Sequence, residues 1–107
     1  MTMAAKEAMV QILTIKNKKG LHARAAAKFV RVVNAHNADV KVTRVNCTPP
    51  LFNDCDDLWR ASGGSVLGIL TLGAEKGAQI RVEATGDDAQ VVLNELHDLI
   101  ERKFDEE

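Results

Sequence analysis

KKGLHARAAAKFVRVV, Lys18 to Val33, places a glycine, a histidine and an arginine where the chain takes on a helical period. Ala26, Phe29, Val30 and Val33 fall at i, i+3, i+4 and i+7, one face of a helix expected to run from about Ala23 to Ala35. His22 then stands at the helix start, where unpaired backbone N–H groups and the dipole favour an anion. The same field opposes a positive charge, so the ring reads as a neutral nucleophile. Arg24 offers several N–H donors to a phosphoryl oxygen, Ala23, Ala25 and Ala26 leave the approach open, and Gly20 permits a tight turn before the ring. Nucleophile, backbone donors (Ala23 and Arg24) and cation are the parts of a reversible phosphoryl site. Spacing leaves a plainer reading equally open, in which His22 only caps the helix and Arg24 is a solvated charge.

Working outward, VQILTIK (10–16) is rich in β-branched and long apolar residues and reads as a strand with Leu13 and Ile15 on one face. VKVTRV (40–45) alternates as a half-buried strand. Residues 46–64 hold both prolines and a cluster of Asn, Asp and Gly, so they read mostly as loop, with a short strand around Leu58 to Ala61. Ser65 suits the cap of a short helix, VLGILTL, ending near Gly73. AQIRVEA (78–84) is an amphipathic strand. A last helix opens at GDDAQ, with Asp87 and Asp88 at its positive end, Ala89, Val92, Leu93, Leu96, Leu99 and Ile100 as its stripe, and Arg102 and Lys103 at its C-terminal end. The order is strand, helix, strand, strand, helix, strand, helix. Helices alternating with strands in so short a chain can all lie on one sheet face, a two-layer α+β sandwich.

At 107 residues the chain is expected to form a single domain, residues 1–107, too small for a deep catalytic cleft as well as a core. Its apolar fraction of 46% and charged fraction of 27% fit a globular protein rather than a disordered or membrane one. A net charge of -1 gives no global case for nucleic-acid or membrane binding, so any charge effect is local. Without a long apolar run the chain is expected in the cytoplasm, with Cys47 and Cys55 as free thiols. Neither cofactor nor metal is expected: Cys47, Asp54, Cys55 and Asp56 have no spacing that matches a zinc pattern.

GLHARAAAKFV closely resembles the active-site segment of the HPr family, small phosphocarriers of the bacterial phosphoenolpyruvate-dependent phosphotransferase system. GGSVLGILTLGAEKGAQIRVEATGDDA is similar to the family's second signature, a serine-led short helix and the strand after it. The resemblance spans residues 10–45 and 60–107. It implies an open-faced sandwich, a four-stranded antiparallel sheet with three helices on one face (βαββαβα). It also implies that His22 is the phosphorylated histidine, on Nδ1, that Arg24 binds the phosphoryl group and that Ser65 is a regulatory phosphoserine position. Enzyme I would supply the phosphoryl group and a IIA-type domain would receive it, so the protein would be a carrier rather than an enzyme in the strict sense, in sugar uptake or in regulation. An HPr kinase/phosphorylase is the implied partner of Ser65, and a monomer is expected.

Two departures from the family pattern stand out. Ala25 replaces the usual proline, giving up a preorganised φ but supplying a good helix former. An insertion at about 46–59, roughly a dozen residues, adds little closure entropy to a loop. Phe52 and Trp59 are expected to pack that loop onto the body.

Val66, Leu67, Ile69, Leu70 and Leu72 cannot all be buried by one side of a short helix, so Val66, Leu67 and Leu70 form a candidate docking patch, with Arg31 as a rim charge. His36 suits the C-terminal end of the first helix, and His97 reads as surface. The ending IERKFDEE and the RVEATG strand lean toward the nitrogen-related branch, NPr, over the sugar-uptake branch. A reading of a different class is a non-catalytic binding module controlled by phosphorylation of Ser65.

Overall fold

The computed structural model describes residues 8–45 and 60–106. Period-two segments form four strands: β1 (Met9–Thr14), β2 (Asp39–Arg44), β3 (Arg60–Ser62) and β4 (Gln79–Thr85). All pairs are antiparallel, in the order β1-β4-β2-β3, so the most regularly alternating strand is central. Ile80, Val82 and Ala84 of β4 are buried, while Gln79, Arg81, Glu83 and Thr85 between them face the other side. Register aligns Gln11, Val82, Val42 and Ala61 across the sheet. On β1, an edge strand, Val10 and Ile12 stay exposed on the open face.

Three helices cover the opposite face: α1 (Ala23–Asn34), α2 (Val66–Thr71) and α3 (Ala89–Glu101). The stripe foreseen for α1 is buried at Ala26, Phe29, Val30 and Val33, and Phe29, fully enclosed, contributes roughly 1.5–3 kcal/mol through burial. Ala25 is buried with them, so Ala25 and Ala26 pack into the core instead of leaving the approach to His22 open, and of the three alanines Ala23 alone is exposed. The α3 stripe is buried from Ala89 to Ile100 as expected. The architecture is the open-faced α+β sandwich, with the core between sheet and helices.

Ser65 caps α2, its Oγ accepting from the Gly68 N–H at 3.0 Å. With one turn and a half, α2 can bury only part of its apolar run: Ile69 and Leu72 enter the core, Leu70 is half-buried, and Val66 and Leu67 are exposed. At its other end Arg44 of β2 donates to the Gly73 carbonyl at 3.2 Å, placing a cation at the negative helix terminus.

Boundaries moved by small amounts. β1 begins one residue before the expected strand and ends at Thr14, after which Ile15 donates to Ala78 O. β3 occupies Arg60–Ser62 rather than 58–61. Asp88 stands at the start of α3, the positive end where the sequence put it, and makes no side-chain cap there; its Oδ2 accepts from the Asn37 N–H at 2.7 Å and ties the turn before β2 to α3. Cys47, Phe52, Asp54, Cys55, Asp56 and Trp59, with the insertion at about 46–59, lie outside the described residues. Among the described residues no helix is long and apolar enough to cross a membrane, and no cluster of His, Cys, Asp and Glu could hold a metal ion.

Beyond α3 the chain does something its composition did not announce. Lys103, Phe104 and Asp105 all take positive φ, 56°, 57° and 60°. Left-handed backbone costs a non-glycine residue about 1–2 kcal/mol. Full burial of Phe104, a hydrogen bond from Lys28 Nζ to its carbonyl at 2.6 Å, and an ion pair between Arg102 and Asp105 at 3.0 Å oppose that cost. The turn reverses the chain and delivers Glu106 to the start of α1.

Candidate functional site

Gly20 begins the site. At φ +67° it turns the chain so that its carbonyl accepts from the His22 N–H at 2.9 Å and from Asn17 Nδ2 at 2.8 Å. Next to it, Leu21 donates to Ala74 O at 2.9 Å, joining the segment after α2 to the residue before His22. His22 is the N-cap of α1, extended at φ -79° and ψ -177°, and its Nδ1 accepts from the Arg24 N–H at 3.3 Å. The other ring nitrogen, Nε2, meets Oε2 of Glu106.

Glu106 is itself held. Its Oε1 accepts from Nδ2 of Asn17, a fully buried side chain, at 3.0 Å. Partial burial by itself would raise the Glu106 carboxyl, but hydrogen bonds from Asn17 and His22, with the nearby charges of His22 and Lys28, outweigh it and hold the group below its ordinary value. An open pocket of about 380 Å³ adjoins these groups, lined by Lys18, Lys19, Arg24 and Lys28 against Asp105 and Glu106. The site is thus locally cationic on a chain of nearly balanced charge.

A carboxyl depressed in the folded state stabilises its contacts above the ordinary carboxylate range, near 4.3 for glutamate, and loses them as pH falls through the depressed value. The tail is therefore expected to stay docked from neutrality down past pH ~4.3 and to release only below it. Carboxyl carbon shifts of Glu106 and amide shifts of residues 103–106, followed by NMR through the acid range, check this. A Glu106 titration at or above the ordinary value would contradict it.

His22, Ala23 and Arg24 lie at the start of α1, with Arg24 exposed and lining the pocket. Arg31, expected as a rim charge of the α2 patch, is exposed in the last turn of α1, roughly 13 Å along the axis from His22 at 1.5 Å per residue. His36 lies just past α1, its Nε2 3.0 Å from Glu95 Oε1, and His97 is part-exposed beside Asp98 and Glu101. Sequence reading passed over Lys18, Lys19, Lys28, Asn17 and Glu106. Lys28, four residues after Arg24 on the same helix face, carried a local signal. Glu106 carried none.

A family model described as the PTS HPr component phosphorylation site matches residues 9–102. The chain belongs to the HPr family. Phosphocarrier protein HPr of Pseudomonas aeruginosa is 39% identical over 94 residues, 88% of this chain and 92% of that protein. Phosphocarrier protein NPr of Shewanella violacea is 34% identical over 94 residues, 88% of this chain and 90% of that protein. Crystallised HPr from Thermoanaerobacter tengcongensis superposes with a TM-score of 0.77 at 34% identity, covering 92% of this chain and 98% of that one. HPr-family proteins are phosphocarriers of the phosphotransferase system, carrying a phosphoryl group rather than acting as enzymes of the ordinary kind. The turn at 103–105 and Glu106 lie beyond the residues that the HPr model matches.

Proposed function

We propose that this chain accepts a phosphoryl group on Nδ1 of His22 from phosphorylated enzyme I and passes it to a IIA-type domain in a cytoplasmic relay. The observation that carries the reading is the division of labour on the ring: Nδ1 faces the start of α1, and Nε2 is taken by Glu106. A phosphoryl group on Nδ1 would meet the N–H groups of Ala23 and Arg24 in place of the long Arg24–ring contact, and the Arg24 guanidinium is free to swing onto its oxygens. A charge-assisted hydrogen bond of that kind contributes about 1.5–3 kcal/mol. Phosphoryl transfer needs mainly positioning and charge stabilisation, and the helix start with the cations around the open pocket supports both.

Incubation with enzyme I, phosphoenolpyruvate and Mg2+, followed by detection of acid-labile phosphate on His22, tests the reading. Transfer from neither a sugar-type nor a nitrogen-type enzyme I would reject it. The ending IERKFDEE supports the nitrogen-related branch, so the nitrogen-type donor is expected to load the protein faster.

Exposed Val66 and Leu67 on α2 support docking of partners there, with Ser65 at the edge of that patch. Ser65 as a regulatory phosphorylation position is a second reading, supported by its place at the start of α2. Ser65→Asp keeps an oxygen at the cap, so the fold should persist, while the added charge repels an acidic partner. Loading of His22 by enzyme I is expected to slow about tenfold, equivalent to ~1.4 kcal/mol, with Ser65→Ala near wild type. Equal rates for Ser65→Asp and wild type would remove the coupling.

A further inference from the structure

The geometry points to Glu106 as a positioning residue for phosphoryl acceptance: its carboxylate keeps the ring proton of His22 on Nε2 and leaves the Nδ1 lone pair at the start of α1. The inference rests on His22 being the acceptor and adds a residue from the far end of the chain to that site.

A neutral imidazole has one N–H and one lone pair, and neighbouring groups decide which nitrogen bears which. Here the backbone N–H of Arg24 points at Nδ1 and requires a lone pair there. The carboxylate of Glu106 at Nε2 requires a proton there. The two constraints agree on one tautomer, the one whose nucleophile is Nδ1.

When that lone pair attacks phosphorus, the new N–P bond forms as the bond from phosphorus to the donor breaks, its electron pair leaving with the donor. The ring gains a positive charge without losing its Nε2 proton. Glu106, already hydrogen-bonded to that proton, stands where the charge develops and needs no rearrangement to stabilise it. Loss of the group to an acceptor reverses the same steps.

The carboxylate is built in rather than adventitious. Asn17, fully buried, spends Nδ2 on Gly20 O and Glu106 Oε1 together, so one side chain ties the turn before His22 to the carboxylate behind it. Lys28 holds the Phe104 carbonyl, Phe104 is fully buried, and the strained run at 103–105 is kept only because these contacts fix it.

Single-turnover loading by phosphorylated enzyme I, compared for wild type, Glu106→Ala and Glu106→Asp, tests this together with 15N spectra of the His22 ring recorded where the ring is neutral. Amide spectra confirm that the body of each variant is folded. Glu106→Ala is expected to load about tenfold slower, the low end for loss of a group that orients a functional histidine, with Glu106→Asp recovering part of the rate. Its ring should change from the Nε2–H tautomer to a mixture. Unchanged loading overturns the proposal, as does slower loading with an unchanged ring spectrum, which would mark Glu106 as a structural contact only. A wild-type protein that is not loaded at all would instead reject the acceptor role of His22 on which the proposal rests.

Discussion

His22→Ala is expected to lower phosphoryl acceptance from enzyme I by at least about a thousandfold, to background, because no other described group replaces the lost nucleophile at the helix start. The fold should persist. Outside the core, His22 contributes a long cap contact, Nδ1 to the Arg24 N–H at 3.3 Å, and the Nε2 contact to Glu106, whose carboxylate keeps Asn17 as a second partner. Loss of an N-cap costs about 0.5–2 kcal/mol, and this one belongs at the low end, so a fall of about 5 °C in melting temperature is the scale expected. His22→Asn, which restores a good cap, should recover the cap's share of that stability and none of the transfer. Quantitative labelling of His22→Ala by enzyme I would show that the phosphoryl group resides elsewhere, with His36 and His97 the remaining histidines to examine.

The segment Lys18 to Val33 contained more of this protein than any other. A turn glycine, a cap and an apolar stripe are local signals, set by neighbours within four residues, and α1 follows them closely. The period of Ile80, Val82 and Ala84 located the central strand for the same reason. What stayed hidden was non-local or unusual in conformation. Glu106 meets His22 across 84 positions and Asn17 across 89, and nothing near either end of those pairs announces the other. Positive φ at Lys103, Phe104 and Asp105 has no glycine to signal it, since burial of Phe104 rather than local preference imposes it. Asp88 stands at the positive end of α3 as its position in the sequence implies, but the partner of its carboxylate, the Asn37 N–H, is 51 positions away and equally unannounced.

Site and scaffold are coupled most tightly at Gly20. A Cβ there would lie 2.6 Å from Ala74 O and 2.7 Å from Glu75 Cα, both backbone atoms that cannot rotate away. Gly20→Ala would therefore combine left-handed strain of about 1–2 kcal/mol with overpacking of about 1–3 kcal/mol. Against a total stability of about 5–15 kcal/mol, that is a large fraction, and melting is expected to fall by roughly 10–20 °C. Function should suffer beyond stability. The Gly20 carbonyl receives both the His22 N–H and Asn17 Nδ2, so a displaced Gly20 moves the nucleophile and the side chain that holds Glu106 in one step. Loading measured well below the melting range should still be at least about tenfold slow, because small displacements of reacting groups are costly. Gly77→Ala supplies the comparison: its φ of +92° imposes strain, but no atom lies within 4 Å of the new Cβ. It should melt a few degrees below wild type and load normally. If Gly20→Ala matched Gly77→Ala in both melting and loading, the close approach of Gly20 to the segment after α2 would not be what places His22.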